Sequence, residues 1–243
     1  MLLNCDLGES YGAWKMGLDD QVMPHIDLAN IACGFHAGDP SVMASTLTLA
    51  KTHKVGIGAH PSYPDLQGFG RRSMTLSENE LINTLHYQIA ALEGMTRVHE
   101  LRLQYVKPHG ALYNDMMRDE GILIQVLKAM SLYPAQLKLM ILATAKQDHH
   151  ARLASQFGVE LLFEAFADRL YTDEGLLSPR SQPSAVHNEA QLLAQVKQLV
   201  TQGTVTTASG RLLPLKADTL CVHGDNPDSI AQIVAIKALL FHT

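Results

Sequence analysis

The residues able to do acid-base or ligand chemistry in this chain are gathered in short turns. Asp6-Leu7-Gly8-Glu9 is the first, Cys33-Gly34-Phe35-His36-Ala37-Gly38-Asp39 the second and Gly58-Ala59-His60-Pro61 the third. Lys107-Pro108-His109-Gly110, Glu164-Ala165-Phe166-Ala167-Asp168-Arg169 and His223-Gly224-Asp225-Asn226 repeat the pattern downstream. Each follows a short apolar run. The adjoining Gly and Pro residues make tight turns, which let a backbone approach a ligand closely and fix the direction of side chains. Pairs such as Asp6 with Glu9 and Lys107 with His109 suit proton transfer. Crowded carboxylates raise one pKa, and a desolvated Lys or His is poised near neutrality. The chemistry implied is hydrolysis or proton transfer. Taken singly, an Asp or His at a strand end also reads as a cap or a hydrogen-bonded structural residue. Four of the twelve histidines, His36, His60, His109 and His223, close such turns, and together they point to one shared site.

Other reactive residues read differently. His25, His53, His86, His99, His187 and His242 fall in or beside expected helices or loops, and His149-His150 opens a helix, so these are surface or capping residues. Cys33 reads equally as a nucleophile or as a small buried side chain. Arg71-Arg72, after Gly68-Phe69-Gly70, reads as an anion clamp or as solvated charge, and Met116, Met117 and Met130 as core packing. There is no GxxxxGK[ST] loop, no GxGxxG turn and no GxSxG elbow, so nucleotide binding, hydride transfer and serine-hydrolase chemistry lack support.

The elements that must position these turns alternate between strand and helix. Expected strands are Leu2 to Asp6, Leu28 to Cys33, Val55 to Ala59, Leu103 to Lys107, Leu137 to Ala143, Glu160 to Phe163 and Thr219 to His223. Helix starts are legible between them. Asp39-Pro40 and Asn226-Pro227 each pair a cap with a first-turn proline. Ser77 with Glu80 is a capping box ahead of a helix over Leu81 to Met95. Further helices fit Glu120 to Met130, Gln147 to Phe157, Asn188 to Thr201 and Asp228 to Leu240, and Asp168 to His187 and Gly203 to Lys216 are expected as long surface loops. Seven strand-helix units imply an α/β domain with parallel strands, either a closed or partly closed (β/α) barrel or a doubly wound open sheet. Both place active sites at the carboxyl ends of the strands.

Composition bounds the remainder. The chain has 243 residues, 47% of them hydrophobic and 18% charged, which suits one domain over 1–243. A net charge of -5 gives no electrostatic reason to expect nucleic acid or an anionic membrane as partner. Three scattered cysteines, Cys5, Cys33 and Cys221, exclude a disulfide framework and indicate a reducing, cytoplasmic setting. The start MLLNCDLGES lacks a basic region and reads as mature protein, and no apolar run approaches membrane-helix length.

At these turns the sequence resembles the LamB/YcsF family, whose bacterial members serve within an ATP-dependent 5-oxoprolinase as its A component. The stretches that carry the resemblance are LNCDLGESYGAW from Leu3, ANIACGFHAGDP from Ala29, GIGAHPSYPDLQGFGRR from Gly56, YVKPHGALYN from Tyr105, EAFADRLY from Glu164 and CVHGDN from Cys221. The resemblance implies a (β/α) barrel, seven-stranded and distorted, of the glycoside hydrolase and deacetylase type. It implies opening of the 5-oxoproline lactam to L-glutamate with ATP as co-substrate, the ATP being bound by partner subunits B and C.

Within that expectation Asp6 or Glu9 is the general base on water, and Lys107 with His109 stabilises the oxyanion or protonates the leaving nitrogen. His36 completes the catalytic group, and with Arg169 it is also placed to hold a substrate carboxylate or phosphate. His60, Glu164, Arg169, His223 and Asp225 are expected to line the substrate. Related deacetylase barrels hold a divalent metal with one Asp and two His, a set that Asp6, His60 and His109 could supply; a metal-free polar site is the alternative. The competing readings are a stand-alone metal-dependent deacetylase or cyclic amidohydrolase, and a small-molecule binding protein without turnover.

Overall fold

The structure is a computed structural model, which describes residues 1–222 and 227–241. His223, Asp225, Asn226 and His242 lie outside the described residues. Strand β1 (Leu2–Leu7) leads through a short helix α1 (Asp19–Val22) to β2 (Leu28–Ala32), then α2 (Pro40–His53), β3 (Gly56–His60), α3 (Glu78–Val98) and β4 (Leu103–Val106). Two helices follow, α4 (Gly110–Arg118) and α5 (Glu120–Leu132), before β5 (Lys138–Leu142), α6 (Gln147–Ser155), β6 (Leu161–Phe166) and α7 (Glu189–Gln202). A small hairpin of β7 (Thr204–Thr206) and β8 (Leu212–Pro214) precedes β9 (Thr219–Val222) and α8 (Pro227–Phe241).

Strands β1, β2, β3, β4, β5, β6 and β9 close into a parallel barrel of seven, with β9 hydrogen-bonded to both β6 and β1. The closed-barrel expectation therefore holds and the open sheet is excluded. The barrel is irregular between β3 and β4, where the register shifts at Ile57/Gly58. The caps explain why the helices begin where they do. Asp39 accepts from the backbone N–H groups of Ser41 and Val42, and Ser77 with Glu80, like Asn188 with Gln191, forms a reciprocal capping box.

Three expectations change. The stretch from Gly203 to Lys216 is not a plain loop, because Thr204–Thr206 and Leu212–Pro214 pair antiparallel and bury Val205 and Leu213. Helix α4 has no clear signal in the sequence, because its cap position is His109, whose side chain makes no capping hydrogen bond. Strand β6 continues to Phe166, so Glu164 lies inside a strand and not in a rim turn. A charged residue ordinarily ends a strand reading, but this one is buried with a counter-charge.

The apolar side chains divide into two clusters. The larger lies between strands and helices and includes Leu3, Leu7, Ile31, Leu47, Leu85 and Ile89. The smaller is separate: Leu28, Tyr105 and Met140, with Leu162 packed against them. Alternation along each strand explains the separation, since every second side chain points into the barrel.

Candidate active site

The site is built in layers inside the barrel, above the small apolar cluster. Tyr105 occupies space that another residue at Gly58 would fill, since a Cβ there would lie 2.1 Å from the tyrosine ring. The Tyr105 hydroxyl donates to Asn30 Oδ1 at 2.6 Å. Asn30 Nδ2 donates in turn to Asn4 Oδ1 at 2.8 Å and to Asp6 Oδ1 at 2.7 Å. Asn4 Nδ2 donates to Thr219 Oγ1 at 2.9 Å and to Glu164 Oε2 at 3.3 Å.

At the centre of this layer is the ammonium of Lys107. Its Nζ lies 2.9 Å from Asp6 Oδ1, 3.0 Å from Glu164 Oε2, and 3.3 Å from both Asn4 Oδ1 and Cys221 Sγ. Burial alone pushes this ammonium toward neutrality. The carboxylates of Asp6 and Glu164 outweigh it and hold the pKa well above the ordinary lysine value. The expectation of a lysine poised near neutrality is thus corrected: Lys107 is a fixed cation. The adjoining thiol and phenols stay neutral, because burial pushes Cys221, Tyr105 and Tyr113 well above their usual ranges.

The histidines sit above the lysine. His60 ends β3, and its Nδ1 lies 2.7 Å from the Lys107 carbonyl oxygen. His60 Nε2 is 3.4 Å from Asp6 Oδ2 and 2.9 Å from His109 Nδ1. The other nitrogen of His109 is 2.9 Å from the carbonyl oxygen of Phe69. The His36 ring lies flat on that of His109, centroids 3.7 Å apart and planes within 3°, and His36 Nε2 is 3.2 Å from Glu9 Oε1. Glu9 Oε1 is also 3.6 Å from His109 Nδ1.

The β3–α3 loop holds this group from above. Phe69 has a left-handed backbone, φ 53°, which aims its carbonyl at His109, and its ring stands edge-on to His36 and His109. Gly70 follows at φ 63°, and a Cβ there would come within 2.8 Å of atoms of both histidines. Glycine is required on both counts.

Burial orders the groups by access. Side-chain exposure is 0% for His36 and Glu164, 1% for His60, 3% for Lys107 and 7% for His109, against 14% for Asp6 and for Glu9. Water therefore reaches the two carboxylates before it reaches the bases around them. Burial, reinforced for His36 by His60 and for His109 by His36, lowers the pKa of both rings well below the usual histidine value.

The structure thus brings together Asp6, Glu9, His36, His60, Lys107, His109 and Glu164. Arg169 is held by backbone carbonyls. Its Nε donates to the Ala185 carbonyl at 3.3 Å and its Nη2 to that of Ser178 at 2.6 Å, so it pins the 168–187 loop. Arg72 pairs with Asp65, whereas Arg71 lies over the Phe69 ring at 5.0 Å, beside the histidines. Burial pushes the Cys33 thiol up to about 12, which removes it as a nucleophile at neutral pH. Asn30, Tyr105 and Phe69 are site residues that sequence reasoning misses. The signal for Asn30 is a polar residue within the buried strand LANIA, in step with Asn4 and Asp6 of the neighbouring strand.

One group of four could hold a metal. Glu9, His36, His60 and His109 each offer one ligand atom, and these atoms all lie within 4.8 Å of one another. Asp6, expected in such a set, is not among these four: its Oδ1 faces Lys107 and Asn30, and its Oδ2 lies 3.4 Å from His60 Nε2.

Comparison with known proteins agrees with this picture. A relative from Vibrio campbellii, named as the A component of 5-oxoprolinase, is 54% identical over 242 residues, covering 99% of this chain and 96% of its own length. One of the same name from Chromohalobacter salexigens is 54% identical over 237 residues, covering 97% and 95% respectively. The crystal structure of a lactam utilization protein from Thermus thermophilus superposes with a TM-score of 0.89 at 36% identity, covering 100% of this chain and 96% of that one. The LamB/YcsF family description matches residues 1–242. A barrel lined by this histidine and carboxylate group, matched along its length by those relatives, places the chain in the LamB/YcsF family.

Proposed function

We propose that this chain opens the lactam ring of 5-oxoproline to give L-glutamate, as the A component of a multi-subunit, ATP-hydrolysing 5-oxoprolinase. The observation that carries the reading is its 54% identity, over nearly its whole length, to relatives that bear that name. The site supports it. A lactam is an unactivated amide, so its hydrolysis needs a base on water, a cation near the developing oxyanion and a proton for the departing nitrogen.

Asp6 is the general base. Lys107 and Asn30 hold its Oδ1, which orients the group, while Oδ2 faces His60. Lys107, as a fixed cation, supplies positive potential under the reacting carbon and does not exchange protons. Glu9 is oriented by His36, and Asp6 returns to the leaving nitrogen the proton it takes from water.

The sequence has no phosphate loop, so ATP belongs to partner subunits B and C in this reading. They transfer the γ-phosphoryl group to the amide oxygen. On this chain water adds to the activated carbon, the C–N bond breaks as nitrogen takes a proton, and hydrolysis releases phosphate. The three cysteines are free and buried, which suits the cytoplasm, and no helix among the described residues is long and apolar enough to cross a membrane.

The test is glutamate release from 5-oxoproline and ATP, by this chain alone and with subunits B and C. Product is expected only in the mixture; robust ATP turnover by the isolated chain would overturn the division of labour. Asp6→Asn should abolish glutamate formation while leaving the circular dichroism spectrum intact, and retained activity would remove Asp6 from the mechanism.

A further inference from the structure

The protons on His60 and His109 can be placed from their partners alone. A backbone carbonyl oxygen only accepts, so His60 Nδ1, 2.7 Å from the Lys107 carbonyl, carries hydrogen. The same holds for His109 Nε2, 2.9 Å from the Phe69 carbonyl. In neutral rings this leaves His60 Nε2 and His109 Nδ1 bare, and these are the two nitrogens that face each other at 2.9 Å. Two lone pairs at that distance repel. Something positive must be shared between them, either a proton or a metal ion.

The surroundings favour the metal. Carbonyl acceptors behind both rings are the arrangement that orients histidine ligands and fixes their tautomer. Glu9 Oε1 lies 3.6 Å from His109 Nδ1 and supplies an anionic third donor. His36 does not point to the same spot, because its ring is parallel to that of His109 and parallel planes do not converge on one ion. It donates instead from Nε2 to Glu9 Oε1 at 3.2 Å, steering the carboxylate.

We infer that His60 Nε2, His109 Nδ1 and Glu9 Oε1 form the binding site of a first-row divalent cation such as zinc, with His36 positioning Glu9 and Asp6 left outside the ligand set. Two imidazoles and a carboxylate are donors for zinc-like ions rather than for magnesium or calcium. When bound, such an ion would act as a Lewis acid toward an oxygen of the substrate. The binding site stands on geometry alone; only its use in turnover rests on the lactam reading.

The test reads metal without substrate. Chelator-stripped full-length protein is dialysed against zinc and its metal content measured, alongside Glu9→Gln, His60→Ala, His109→Ala and Asp6→Asn variants whose folding is checked by circular dichroism. The parent and Asp6→Asn should each retain one zinc per chain, while the other three lose affinity by at least about 10-fold. No retention by the parent, or equal retention by every variant, would overturn the assignment. A second measurement needs no variant: pulsed electron paramagnetic resonance of the cobalt(II)-loaded parent should detect imidazole nitrogens, and their absence would equally overturn it. Glutamate release with subunits B and C tests the lactam reading separately, so the two can fail independently.

Discussion

The two sides of the barrel wall are built on opposite principles. The outer side of β1 carries Leu3, Cys5 and Leu7 into the apolar layer under the helices, whereas the inner side of the same strand carries Asn4 and Asp6. On β4 the outer Val106 joins that layer, while Tyr105 faces inward ahead of Lys107. The outer layer gains stability from burial of apolar area and tolerates changes of shape within limits. The inner layer holds a lysine between two carboxylates with little access to water. Such an arrangement is weak evidence for stability, since desolvation offsets much of the attraction, but removing one partner is costly. The outer layer therefore accounts for the fold, and the inner one for the chemistry.

The comparison is tested most sharply at Lys107. Lys107→Met leaves Asp6 and Glu164 buried without their cation and should destabilise the protein by about 3–5 kcal/mol in urea unfolding, with loss of glutamate formation. Folding raises the lysine pKa, so its contribution is complete below the ordinary value of 10.5 and lost only as pH rises past the folded value. The stability deficit of the variant should accordingly stay flat from neutral pH to about pH 9. A deficit that shrank over that range would mean that Lys107 titrates there and is not a fixed cation.

On the outer side, Leu85→Ala on α3 should cost about 2–4 kcal/mol by leaving a cavity beneath that helix. Unlike Lys107→Met, it should keep kcat/KM per folded molecule, measured with subunits B and C present. A large fall in kcat/KM would break the division between the two layers.

The smallest expected effect is at the floor of the interior. Gly58→Ala places a methyl 2.1 Å from the Tyr105 ring, and displacing the ring should cost about 1–3 kcal/mol. Because Tyr105 anchors Asn30, which holds Asp6, kcat should fall while the outer layer stays intact; an unchanged kcat would uncouple the floor from the site.

Much of this architecture is legible in the sequence. The strand and helix alternation, the caps at Asp39 and Ser77 and the convergence of Asp6, Glu9, His36, His60, Lys107 and His109 all follow from local pattern and turn chemistry. Glu164 reads as a turn residue yet lies in a strand, because only the folded barrel supplies the lysine that makes a buried carboxylate tolerable there. Arg169 reads as a substrate ligand, and its bonds to its own loop are invisible at that level, since the carbonyls it meets are brought near by chain folding and leave no mark in sequence.

Local pattern settles which residue types reach the carboxyl end of the barrel, because side-chain alternation and turn glycines are properties of neighbouring residues. The family is settled there too, since the motifs span nearly the whole chain. The electrical states of those residues are set in three dimensions. Whether a lysine is a base or a fixed cation, and whether two histidines face each other with protons or lone pairs, depends on distances between strands far apart in the chain. Coulombic and hydrogen-bond energies follow those distances and the burial around them, and neither is written in the order of residues.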